Sequence, residues 1–155
     1  MLLNPWIRWG GLSVLSMLIF TIIGISIGPK TFQYVPVRGR VTLNGVPAEK
    51  LTVIFAPVRN GRSALVGELS SAVTDSNGNF ELRTAGTKVL GAVPGGHTVA
   101  IVSEVRDIDR DLILVKEYLP KKYHEETTLT FEVPYDGTDF ANFELSIPEL
   151  TKVKN

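Results

Sequence analysis

Twelve residues, Val73-Thr-Asp-Ser-Asn-Gly-Asn-Phe-Glu-Leu-Arg-Thr84, restrict the fold more than any other stretch of this chain. They read as a strand end, a tight turn and a second strand. Asp75 opens the turn, and Asn77-Gly78 can take the positive φ that a short hairpin needs. Phe80 and Leu82 alternate with Asn79, Glu81 and Arg83, the period of a half-buried strand. A second turn cluster, Gly91 to Gly96, leads into another alternating run, His97-Thr-Val-Ala-Ile-Val-Ser103. A chain punctuated this way is built from short strands.

The same rhythm runs through the rest of the body. Val37 to Leu43 alternates and ends on Asn44-Gly45, a strong turn signal. Leu51 to Val58 is a second strand, whose Pro57 places its end at an edge or a bulge. Asn60-Gly61 marks a loop tip, and Ala64 to Val73 predicts a strand broken near Gly67. Val105 to Val115 is charged and only loosely periodic, which predicts a helical turn or a long loop. Leu119 to His124 reads as irregular. Leu129 to Val133 and Phe140 to Ile147 complete the set. About seven short strands with turns between them and little helix predict an all-β, antiparallel sandwich. The predicted core is Val41, Leu43, Val53, Phe55, Phe80, Leu82, Val99, Ile101, Phe131, Val133, Phe143 and Leu145.

The N-terminus has a different character. Gly11 to Gly28 carries no charge, and as a helix it would span about 27 Å, close to the thickness of a bilayer's hydrocarbon core. Trp6 and Trp9 before it, and Phe32 and Tyr34 after it, occupy positions for interfacial aromatics. Three readings are open: an uncleaved anchor, a signal peptide cleaved near Ser26, or a buried helix. The basic residues Lys30, Arg38 and Arg40 against Arg8 slightly favour a body that stays inside. The expected organisation is an anchor or signal over 1–30, a linker over 31–36, one β domain over 37–148 and a frayed tail over 149–155.

Charge and composition exclude several functions. The 155 residues hold 16 basic and 16 acidic side chains, which leaves no electrostatic footprint for nucleic acid. There is no cysteine, so disulfides, thiolate metal sites and a lipid-modified cysteine are ruled out. His97 and His124 stand apart and outside any HExxH spacing, which predicts surface roles and no metal site. Asp75-x-Asn77-x-Asn79 is out of phase for a calcium loop, since Gly78 comes too early and no closing Glu follows. Side chains bonding their own backbone explain that turn. Ser63, Ser70 and Ser71 lie in no GxSxG context. Gly91 to Gly96 precedes a strand rather than a helix, so it offers no phosphate cradle. No cofactor is expected. The longest connection, Glu104 to Lys122, is the expected binding surface, with Tyr118, Lys121, Lys122 and Tyr123 as candidate contacts and Tyr135 nearby.

Val37-Arg-Gly-Arg-Val-Thr-Leu-Asn-Gly-Val-Pro47 resembles the opening of a transthyretin-like module of the carboxypeptidase regulatory type. Val53-Ile-Phe-Ala-Pro57, Thr74-Asp75 with Gly78-Asn-Phe-Glu-Leu82, and Gly91-Ala-Val-Pro-Gly95 with Val99-Ala-Ile101 resemble its next landmarks in order. Leu119 to Tyr123 and Thr127 to Val133 are similar to the ending of short exported versions found in planctomycete bacteria. The resemblance implies a seven-stranded prealbumin-like (Ig-like) sandwich exported across the inner membrane. It carries over no catalytic residue, because it is to an accessory β-module. Many such proteins carry a lipobox cysteine; here the segment over 11–28 would provide any attachment.

The combined expectation is a non-enzymatic, membrane-anchored extracytoplasmic module with a structural or interaction role at the cell envelope, partnered by an envelope protein or polysaccharide. The alternative is a carbohydrate- or small-ligand-binding module that uses residues 104–122. A transthyretin-like hydrolase would need clustered histidines and arginines, and two separated histidines argue against one.

Overall fold

A computed structural model of the chain describes residues 32–59, 66–107 and 109–148. The expected anchor over 11–28, the cleavage point near Ser26, the Asn60-Gly61 loop tip and the frayed tail lie outside the described residues. Among the described residues no helix is long and apolar enough to cross a membrane.

The body is all-β. Its strands are β1 (Arg38–Leu43), β2 (Val46–Pro47), β3 (Thr52–Pro57), β4 (Ser70–Val73), β5 (Asn79–Glu81), β6 (Arg83–Thr84) and β7 (Gly95–Val102). They continue with β8 (Val105–Asp107), β9 (Leu112–Val115), β10 (Thr130–Val133) and β11 (Phe143–Leu145). One sheet has the order β11-β1-β2, with β5 also paired to β1; the other has the order β10-β7-β3-β4-β6. β8 and β9 pair only with each other. One pairing departs from the antiparallel expectation: β1 and β11 run parallel, with Val41 opposite Phe143.

The turn at Asp75 forms as its residues demand, but it is not a simple hairpin. The Asp75 carboxylate accepts the backbone N–H groups of Asn77 and Asn79, each at 2.8 Å. Gly78 takes φ +75 beside the carbonyl of Val41. The strands on either side then join different sheets: β4 pairs with β3 and β6, whereas β5 pairs with β1. The stretch is a corner that links the two sheets. Short-range turn chemistry reads the corner correctly, but the partners of its strands are set by packing far away in sequence.

Both sheets face one apolar core. Every predicted core residue is buried except Leu43 and Phe131, which are half-buried and pack against it. Phe55 of β3 sits at the centre. Its ring lies 6.5 Å from Phe80 and 6.0 Å from Phe143 of the opposite sheet, and 5.7 Å from both Phe131 and His97 of its own. Burying a phenyl ring contributes about 3 kcal/mol, and tilted aromatic pairs add roughly 0.5–1.5 kcal/mol each, so this cluster is the main link between the layers.

His97 corrects the surface role expected from sequence. It is 1% exposed and packs against Phe55 with the two rings tilted. It opens the inward-facing series His97, Val99 and Ile101 on β7, so the same period that buries the valine and isoleucine buries the imidazole.

The two ends of the body differ. At one end, Phe32, Pro57, Val58 and Val93 to Gly96 line a common hollow, and β10 finishes there with Val133 opposite Gly95. The loop from Pro134 therefore starts at the end where Phe32 enters. β7 runs away from that end for eight residues, roughly 25 Å, and leads directly into β8 at the other.

Candidate functional site

The Glu104 to Lys122 connection is neither a helical turn nor an open loop. It is a β-ribbon, β8 paired with β9, closed by a turn in which Asp107 accepts the N–H groups of Asp109 and Arg110 at 3.1 and 3.2 Å. The alternation that marks a strand is absent from Leu112-Ile-Leu-Val115, which explains why period-based reading passed over it. A register shift between Val105 and Arg106 places two residues of β9 against one step of β8.

Glu117 holds the ribbon at its base. Its carboxylate accepts the backbone N–H of Ser103 at 3.0 Å, the Ser103 hydroxyl, the N–H of Glu104 at 3.3 Å and the N–H of Leu119 at 2.8 Å. The buried Ser103 Oγ in turn accepts the N–H of Tyr118 at 2.9 Å. Partial burial pushes the Glu117 carboxyl up, but the donors from Ser103, Leu119 and Glu104 outweigh it and hold the group below the usual carboxylate range. The free end of β7 and the returning strand are thereby pinned together.

The four candidate contacts do not make one surface. Tyr118 is 51% exposed. Lys121 pairs with Glu125 at 2.8 Å on the rim of a short 3-10 turn over Lys121–Tyr123. The Lys122 ammonium lies 4.8 Å from the centre of the Tyr123 ring. Tyr123 itself is buried, and its hydroxyl donates to the Ser146 carbonyl at 3.2 Å while accepting the Ser146 N–H at 2.8 Å. Tyr123 thus fastens the turn to the segment after β11 and presents no ring to a ligand.

Beside this turn, Val102, Glu104, Glu117, His124 and Glu125 line a hollow of about 230 Å³. Its polar groups are already engaged. Glu104 meets Arg106 at 3.3 Å, Glu117 holds Ser103, Glu125 holds Lys121, and His124 Nε2 donates to the Leu119 carbonyl at 3.0 Å. Among the described residues no group of three or more His, Asp or Glu is placed to hold a metal ion. His97 uses Nδ1–H to donate to the Gly95 carbonyl at 2.9 Å, which leaves Nε2 as a buried acceptor without a partner. Burial lowers its pKa, against smaller upward pulls from the Gly95 carbonyl and Glu132, so the ring is neutral.

Among the exposed apolar side chains of the described residues, which also include Val46, Val73 and the Val89-Leu90 pair, two groups stand out. The first is the ribbon, where Leu112, Ile113, Leu114 and Val115 are 52%, 48%, 63% and 43% exposed. The second is the loop after β10, where Tyr135 and Phe140 are 84% and 80% exposed. That loop is held firmly. Gly137 N–H donates to the Pro134 carbonyl at 3.0 Å, Thr138 N–H to Pro36 at 2.9 Å, and Ala141 N–H to Arg38 at 3.0 Å. Arg38 N–H donates to the Thr138 carbonyl at 2.8 Å, and Gly137 takes φ +79 where a side chain would strike the Pro36 carbonyl. The sequence signal for it was Tyr-Asp-Gly-Thr-Asp-Phe, a turn with an aromatic on either side.

In comparisons with known proteins, no family model, no curated protein and no solved structure matches the chain.

Proposed function

We propose that this chain is a non-enzymatic, membrane-anchored module: a helix over 11–28 in the membrane and a seven-stranded prealbumin-like sandwich outside it, with an interaction role at the cell envelope. The observation that carries the reading is the β8–β9 ribbon. A two-stranded ribbon is marginal alone, and a strand apolar on both faces is typical of one covered on both faces. Here Leu112 to Val115 are exposed while Glu117 and Ser103 hold the ribbon in place. Exposed, contiguous apolar surface of this kind marks a contact for another molecule. The reading without catalysis is supported by the histidines, whose rings are bonded to the Gly95 and Leu119 carbonyls and stand apart from each other.

A photo-crosslinking phenylalanine analogue at Leu114, in the full chain in its native membrane, tests this. The expected result is a discrete adduct at Leu114 and none at exposed Glu49. Equal labelling at the two positions, or none at Leu114, would contradict an interaction role for the ribbon.

A second reading, a carbohydrate- or small-ligand-binding module using residues 104–122, is favoured by the exposed ring of Tyr118. It requires saturable glycan binding that Tyr118→Ala abolishes and Tyr123→Phe leaves intact.

A further inference from the structure

We infer that the Pro134 to Phe140 loop rests on the lipid surface that the N-terminal segment crosses, with Tyr135 and Phe140 in the headgroup layer. This rests on the anchored reading above. The loop's position is the main argument. It begins at the end of the body where Phe32 enters, since β10 finishes opposite Gly95 and Phe32 shares a hollow with Gly95 and Gly96. The loop is also bonded to the entering chain, through the Pro36 carbonyl and the Arg38 backbone.

Only Pro29, Lys30 and Thr31 separate Gly28 from Phe32. Four peptide steps reach about 14 Å at most. The chain enters the body at Phe32 no more than about 14 Å from Gly28, whereas the β8–β9 ribbon follows the opposite end of β7.

The chemistry fits the position. Aromatic rings with one polar or wet edge concentrate at membrane–water interfaces. Tyr135 has such an edge and Phe140 adds an apolar ring; they are 84% and 80% exposed on a loop tied to the entering chain by hydrogen bonds to Pro36 and Arg38. Arg38 lines the same hollow as Phe140 and is paired with Glu81 at 2.6 Å and Asp139 at 3.3 Å. That pairing reduces the charge presented to lipid, which suits a zwitterionic surface better than a strongly anionic one. Asp136, between the two aromatics in sequence, lines the adjoining hollow of about 410 Å³ and faces water at the rim.

The test uses the full chain, which has no cysteine, so one introduced thiol can be labelled cleanly. Asp136→Cys keeps both aromatics and takes an environment-sensitive fluorophore; Leu114→Cys reports the far end. The labelled chains are reconstituted into phosphatidylcholine vesicles containing a headgroup-level nitroxide lipid. The expected result is severalfold stronger quenching at position 136 than at 114, lost when Tyr135→Ser and Phe140→Ser are added. Equal quenching at both positions, or stronger quenching at 114, would overturn the inference. So would a signal at 136 that ignores lipid and changes with added cell-wall polysaccharide. A chain that floats with vesicles yet shows no quenching at 136 refutes the loop contact alone, whereas a chain that does not float refutes the anchor as well.

Discussion

Replacing His97 with Phe should leave the protein at least as stable as before at pH 7.5, with an advantage over the natural chain that grows in mild acid. The ring is 1% exposed, donates once to the Gly95 carbonyl, and buries Nε2 with no partner. Losing the donated hydrogen bond costs about 1 kcal/mol, while removing an unmatched buried acceptor recovers roughly 1–3 kcal/mol. A phenyl ring keeps the packing against Phe55 at 5.7 Å. The net change at pH 7.5 is therefore about 0–2 kcal/mol in favour of the variant. The pH dependence is more decisive. Burial holds the folded pKa of His97 below the ordinary 6.5, so the unfolded chain binds the extra proton first. The natural protein then has its full stability above pH 6.5 and loses it as pH falls toward the folded value, at up to about 1.4 kcal/mol per pH unit. His97→Phe lacks that loss, so the gap between the two proteins should widen from pH 7.5 to pH 5.5. Urea unfolding of the full chain in mild detergent, followed by near-ultraviolet circular dichroism, measures it. A gap independent of pH, or a variant weakened by more than about 2 kcal/mol at every pH, would refute a neutral, half-satisfied core histidine.

Glu117→Gln should loosen the ribbon base and cost roughly 1–3 kcal/mol, because several donors lose an ionised acceptor. Since the folded Glu117 pKa lies below its unfolded value, that contribution is present above the unfolded pKa and disappears as pH falls through the folded one; acid titration should show the variant's acid limb flattened. Gly39→Ala should lower thermal stability by about 2 kcal/mol or more, because a Cβ there overlaps the Ala141 carbonyl. Tyr123→Phe should cost about 1–2 kcal/mol by leaving both Ser146 backbone groups unmatched, while Tyr118→Ala should stay within about 0.5 kcal/mol; paired denaturation curves distinguish the buried ring from the exposed one.

The strands that bury one face were legible because alternation follows directly from the pleat: Val41, Val53, Phe55, Val99, Ile101 and Leu145 all point inward as their period requires. The chemistry of the Asp75 turn was legible for a similar reason, since Asp and Gly act on their own backbone. Three features were not. His97 is polar by type, which points to the surface, but its place in the His97-Val99-Ile101 series buries it. The β8–β9 ribbon was hidden because Leu112 to Val115 lack alternation and carry a bulge, the pattern of a strand whose cover is not within its own sheet. The different roles of Tyr118 and Tyr123 depend on whether a hydroxyl can reach Ser146, across a sequence separation that local pattern does not report. Phe140 was expected to open the last strand, but β11 begins at Phe143 and Phe140 lies exposed in the loop before it, since exposure itself is a tertiary property.

The most direct test of the anchored external module is protease access. The full chain with a C-terminal tag is expressed, cells are fractionated, and intact spheroplasts are treated with protease while the mature mass is read from the same sample. The account predicts a full-length protein in the membrane fraction whose tag is digested from outside. A tag protected until the membrane is lysed, or a shortened soluble product, would contradict it.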